Sequence, residues 1–143
     1  MKTEDTPTWH RLRDAINKSA KLSQDEKHQE ALELVDRAIA DAILQGHASW
    51  VLTLSHHAAV IAAFLGDHQL VKKYYEQSLA YVPENPRALY GLAKVAREEG
   101  ESETARQYAF KCYKALGELE DEDVVKQGLL DLVLKDWPEV AGM

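Results

Sequence analysis

A chain of 143 residues that is 45% hydrophobic and 29% charged has the balance of a globular domain, which excludes collagen-like, fibrous and disordered classes. Its net charge of −7 at pH 7 repels nucleic-acid phosphates and anionic lipid headgroups, so neither nucleic acid nor membrane is an expected partner. The single Cys112 has no partner for an internal disulfide, Met1-Lys2-Thr3-Glu4-Asp5 lacks a secretory apolar run, and the apolar stretch 50–65 is broken by Ser55-His56-His57, so a cytoplasmic location is expected.

Ala, Leu, Glu, Gln and Lys outnumber Val, Ile and Thr, which favours helix and predicts almost no strand. Thr6-Pro7 reads as an N-cap followed by a first-turn proline, and Trp9, Leu12, Ile16 and Ala20 form one apolar stripe, placing a first helix at about 7–22. Ser23 with Glu26 reads as a capping box opening a second helix at about 24–45, which carries Ala31, Leu34, Val35, Ala38, Ile39 and Ala42 and stops at Gly46. Trp50, Leu54, Ala58, Ile61 and Leu65 mark a third helix ended by Gly66. Asp67 caps a fourth that ends at Pro83. Asn85-Pro86 starts a fifth, stopped by Gly100, and Ser102 opens a sixth that runs to Gly117. After the acidic stretch 118–123, a seventh helix is expected over about 122–135, closed by Trp137-Pro138.

The punctuation repeats. Shifting the chain by 34 residues lays Gly66-Asp67 on Gly100-Glu101, Tyr74 on Tyr108, Ser78 on Cys112, and Ala58, Ala59 and Ala62 on Leu92, Ala93 and Ala96. The second helix carries the same series 40 residues before the next copy, which predicts a longer helix or loop around 43–47. One helical hairpin cannot bury both faces of its helices, so stacked neighbours must complete the core. Small residues at Ala38, Ser78 and Cys112 admit close helix approach, and Tyr74, Tyr75, Tyr108 and Tyr113 fill the adjoining space, so Cys112 reads as a core residue and not a reactive thiol.

These residues resemble the tetratricopeptide repeat family. Residues 66–86, with Tyr74-Tyr75, Ser78-Leu79 and Pro83-Glu84-Asn85-Pro86, look like a second helix and its proline-bearing turn; Leu89, Leu92, Ala93, Ala96, Gly100 and Ala105 look like the next copy. The resemblance spans about 7–117 and is weakest in the first hairpin. Ser55, Ala58, Val71 and Gly117 depart from the usual pattern. It implies an all-α fold: a right-handed superhelical stack of three hairpins at about 7–45, 47–83 and 86–117, with a capping helix at 122–137, in one domain of seven helices.

Chemistry-bearing patterns are few. The sequence contains no glycine-rich phosphate loop, nucleophile elbow or zinc-ligand spacing, and no two of His10, His28, His47, His56, His57 and His68 stand three or four residues apart. Glu98-Glu99 reads as part of a solvated turn. No catalytic, cofactor or metal site is expected, and the chain is expected not to be an enzyme.

A binding surface has better support. On the fifth helix Leu89, Leu92, Ala93 and Ala96 fall within roughly a 100° arc, while Arg87, Tyr90, Lys94 and Arg97 fall within roughly an 80° arc opposite. The matching arc of the third helix holds Thr53, His56, Val60, Ala63 and Phe64. The resemblance implies that these faces line a concave groove for a partner's peptide or helix, and three cations beside an aromatic ring favour an acidic segment. Some family members clamp a terminal carboxylate with lysine, asparagine and arginine. The matching places here hold His10, Asp14, His57, Arg87 and Gly91, so that clamp is not carried over.

An adaptor or co-chaperone module is therefore the leading expectation. The alternative is a structural homo-oligomer: Val124, Val125, Leu129, Leu130, Leu132, Val133, Leu134 and Trp137 spread over roughly 200° of the seventh helix, more than one buried face needs. Leu130, Leu134 and Trp137 are the expected self-interface.

Overall fold

The computed structural model describes residues 7–143. Among them the chain forms seven α-helices and no strand: α1 (Pro7–Gln24), α2 (His28–Leu44), α3 (Ala48–Phe64), α4 (His68–Tyr81), α5 (Pro86–Glu98), α6 (Ser102–Gly117) and α7 (Val124–Asp136), then a 3-10 turn at Pro138–Gly142. The expected Thr6 cap lies outside the described residues. The chain divides into two compact units, residues 1–77 and 78–143, with the boundary inside α4.

Four helix ends share one turn. After α2, α3 and α5, Gly46, Gly66 and Gly100 adopt left-handed φ angles of 73°, 71° and 78°. In each turn the glycine N–H donates to the carbonyl three residues back, and the next N–H donates to the carbonyl five back, as in His47 to Ala42 (2.9 Å) and Glu101 to Ala96 (2.9 Å). The α1–α2 connection makes the same pair, Glu26 to Ser23 (3.0 Å) and Lys27 to Leu22 (2.8 Å), with Glu26 at φ 63°. The capping-box reading of Ser23 and Glu26 is therefore corrected. Ser23 lies in the last turn of α1, Glu26 forms the left-handed turn, and α2 begins at His28.

In the first unit α1, α2 and α3 pack side by side around Leu12, Ala31, Val35, Ala42, Val51, Leu54 and Ile61, each at most 1% exposed. Relative to the 34-residue register, α2 is longer at its C-terminal end and α3 at its N-terminal end, which accounts for the 40-residue spacing before the next copy. Ser55 and Ala58 are completely enclosed, and the Ser55 hydroxyl donates to Gln77 Oε1 at 2.9 Å. Asp67 caps α4 by accepting from the Leu70 N–H. Tyr74 on α4 is enclosed, and its hydroxyl donates to the Asp36 carboxylate of α2. Burial, then that bond, pushes the phenol well above its usual pKa.

In the second unit α5 and α6 form the principal hairpin, and α7 and the final turn close over it. Asn85 caps α5 by accepting from the Arg87 N–H, with Pro86 in the first turn. Asp123 caps α7 through the Val125 N–H at 2.8 Å. Cys112 is fully buried; its thiol donates to the Pro86 carbonyl at 3.3 Å, and burial raises its pKa to about 12, far from thiolate chemistry.

The apolar surplus of α7 divides between core and surface. Val133 and Trp137 are buried with Leu89, Ala93 and Leu116, and Leu129, Leu130 and Leu134 pack half-buried against that cluster. Val124 and Leu132 remain exposed, at 91% and 43%. Trp137 is 5% exposed, so its expected place at a self-interface is corrected: the ring fills the core of its own unit.

Candidate binding surfaces

The first unit contains an open cleft of about 440 Å³ lined by Ala20, Ser23 and Gln24 of α1, Glu26 of the turn, His28 of α2, and His57, Val60, Ile61 and Phe64 of α3. Its wall on α3 follows from helix periodicity, since His57, Val60, Ile61 and Phe64 stand at i, i+3, i+4 and i+7. Ile61 is buried, whereas Val60 is 39% and Phe64 67% exposed. The Phe64 ring lies parallel to the His28 imidazole at 5.3 Å between centroids. His28 Nδ1 is in turn 2.8 Å from Ser23 Oγ.

A second serine–histidine pair orders the opposite side. The buried Ser19 hydroxyl donates its one proton to the Ile16 carbonyl at 2.9 Å, so it accepts from His57 Nε2–H at 2.8 Å. That contact selects the Nε2–H tautomer of the neutral ring, and burial, by lowering the His57 pKa, favours that neutral form. Ser19 and Ser23 are one turn apart on α1 and each meets a histidine of this wall.

Of the α3 residues expected to line a groove, Val60 and Phe64 reach the cleft. Thr53 is exposed and its hydroxyl donates to the Ser49 carbonyl of its own helix at 3.1 Å. His56 is half-buried beside Tyr75, with ring centroids 6.1 Å apart. His57, not among the expected groove residues, also lines the cleft; its seven-residue spacing from Phe64 was the available signal.

In the second unit Arg87, Tyr90, Lys94 and Arg97 share a face of α5, but two of them are engaged within the unit. Tyr90 meets Trp137 edge-on at 6.4 Å, and Arg97 lies 4.8 Å over the Trp137 ring and pairs with Asp136 at 3.1 Å. Burial, followed by the Asp136 charge, raises the Tyr90 pKa. Lys94 lies over the Tyr90 ring at 5.6 Å; both Lys94 and Arg87 are exposed. A smaller hollow of about 300 Å³ beside this face includes Arg97, Arg106, Glu103, Asp136 and Glu139, with Arg106 paired to Glu103. Among the described residues no three or more His, Cys, Asp or Glu side chains converge as a metal site, and no helix is long and apolar enough to cross a membrane.

No family model and no curated relative matches the sequence. Solved structures do share the fold. The type III secretion translocator chaperone SycD of Yersinia enterocolitica superposes with a TM-score of 0.65 at 14% identity, covering 87% of this chain and 88% of that one. A second SycD structure, an alternative dimer, gives 0.63 at 16% identity over 95% and 99% of the two chains. The C-terminal TPR-containing domain of an FK506-binding protein from Plasmodium falciparum gives 0.63 at 14% identity over 97% and 98%. In its fold, this all-helical chain is similar to tetratricopeptide-repeat domains.

Proposed function

We propose that the chain is a non-enzymatic protein-interaction module, of adaptor or chaperone type, whose first-unit cleft holds an apolar side chain from a partner's peptide or helix. The observation that carries this reading is the exposed Phe64 and Val60 beside the buried Ile61 in an apolar-lined cleft. Its size falls in the range of about 300–1,000 Å³ usual for ligand sites. The fold likeness to a secretion chaperone supports the same reading. The 2.8 Å Ser19–His57 contact has the spacing of a nucleophile and its base, but Ser19 is fully enclosed and its proton is committed to Ile16. It serves to orient the cleft wall. Arg87 and Lys94 offer a separate surface for an acidic segment. A reducing, cytoplasmic setting belongs to this reading, on the single unpaired Cys112.

The test is capture of binding proteins with the full chain beside Phe64→Asp, with helicity checked by circular dichroism. Partners retained by the native chain and lost by the variant support the reading; identical sets from both baits reject the cleft as the docking site.

A second reading is a homodimer through the outer face of α7, favoured by the exposure of Val124 and Leu132 beside the half-buried Leu130 and Leu134. A sedimentation mass of one chain at high concentration rejects it. A dimer that Leu132→Asp converts to monomer supports it.

A further inference from the structure

Three of the four equivalent helix-ending turns place glycine in the left-handed region, where a side chain costs about 1 kcal/mol or more. The fourth makes the same two backbone hydrogen bonds with Glu26. Glycine serves this turn elsewhere in the same chain, so closing the α1–α2 connection does not require a carboxylate at position 26. Glu26 is one of the residues that line the first-unit cleft, beside His28, His57, Val60, Ile61 and Phe64. The lining thus includes no lysine or arginine and no second acid. One negative charge stands against an otherwise apolar and hydrogen-bonding surface.

Charge complementarity then selects the occupant. We propose that the cleft takes an aromatic or aliphatic side chain from a partner segment bearing a lysine or arginine next to it, and that Glu26 is the specificity residue that pairs with this cation. The proposal rests on the docking reading above and supplies its partner's chemistry. The apolar side chain contacts Ile61, Val60 and the Phe64–His28 stack, and the neighbouring cation reaches the turn. A partner acid at that place would meet Glu26 and be disfavoured. The chain's net charge of −7 acts in the same direction, drawing basic segments toward it.

The experiment is selection from a phage-displayed library of random twelve-residue peptides on the full-length chain, followed by fluorescence anisotropy with the selected peptides. The expected result is enrichment of an aromatic or aliphatic residue within two positions of Lys or Arg, with binding lost in Phe64→Asp. Glu26→Gly, which relieves the turn and folds at least as stably, is expected to weaken these peptides about two- to fivefold. Glu26→Lys is expected to shift selection toward Asp and Glu. Apolar peptides lost in Phe64→Asp but enriched without a basic neighbour, or with an acidic one, overturn the role of Glu26 and leave the docking reading standing. Recovery of no peptide sensitive to Phe64→Asp overturns both.

Discussion

Glu26 and His57 show how single residues tie the fold of the first unit to its cleft. At φ 63°, Glu26 bears a steric cost of about 1–2 kcal/mol that glycine avoids, while glycine adds about 0.5–1 kcal/mol of chain entropy to be lost on folding. Glu26→Gly is therefore expected to stabilise the chain by about 0.5–1 kcal/mol, read as a higher urea midpoint with an unchanged slope. His57 carries a pH dependence. Burial holds its folded pKa below the value of about 6.5 for an exposed imidazole, so the fold favours the neutral ring. This contribution is fully present above pH about 6.5 and is lost as the pH falls through the lower folded value. His57→Gln keeps an N–H for Ser19 but cannot titrate. The stability lost between pH 7.5 and pH 5 is expected to be smaller in this variant than in the native chain, and equal losses would show that burial of the ring is not felt.

At the scale of elements, what could be read from the sequence was what is written locally. Gly46, Gly66 and Gly100 stop helices because the left-handed turn needs them, and Asp67 and Asn85 cap helices through a side-chain oxygen and a nearby N–H, so those boundaries follow from residue type, whereas α7, expected from about 122, begins after its Asp123 cap. The α1–α2 boundary did not, because Glu26 occupies a glycine position and makes a false capping box with Ser23. The α7 region was half legible. Its apolar surplus was plain, but which part enters the core depends on the chain turning after Asp136 to bring Trp137 onto Tyr90 and Arg97, a tertiary contact that helical periodicity does not encode. α7 also lacks a fully buried stripe, with Val133 its one buried residue. Its N-cap should therefore matter more than for a helix gripped along its length. Asp123→Ala is expected to cost about 1 kcal/mol and to speed hydrogen exchange across Val124–Asp136 before it does so in α5.

At the scale of the whole molecule, charge distinguishes the two candidate surfaces. The sequence arc on α5 is cationic and favoured an acidic segment, yet Arg97, though exposed, is paired with Asp136, and Arg87 and Lys94 are the other exposed cations of the arc within a chain of charge −7. The cleft of the first unit was less legible because its wall combines α1, a turn, α2 and α3, and because Glu26 read as part of a cap and His57 only as a place matching the family's clamp. Long-range and local fields agree at Glu26 and oppose each other at Arg87 and Lys94. A basic peptide steered to the cleft is expected to associate severalfold more slowly when salt is raised from about 0.01 M to 0.15 M, as the screening length falls from about 30 to 8 Å. An acidic peptide bound at α5 must cross the repulsive field first, so salt screens its approach as well as its contact, and its association rate should change little or rise. Stopped-flow measurement with one basic and one acidic peptide checks this: a rate that falls with salt for the basic peptide while that of the acidic peptide stays level or rises is the expected outcome, and a fall for the acidic peptide would show that Arg87 and Lys94 outweigh the net charge of the molecule at α5.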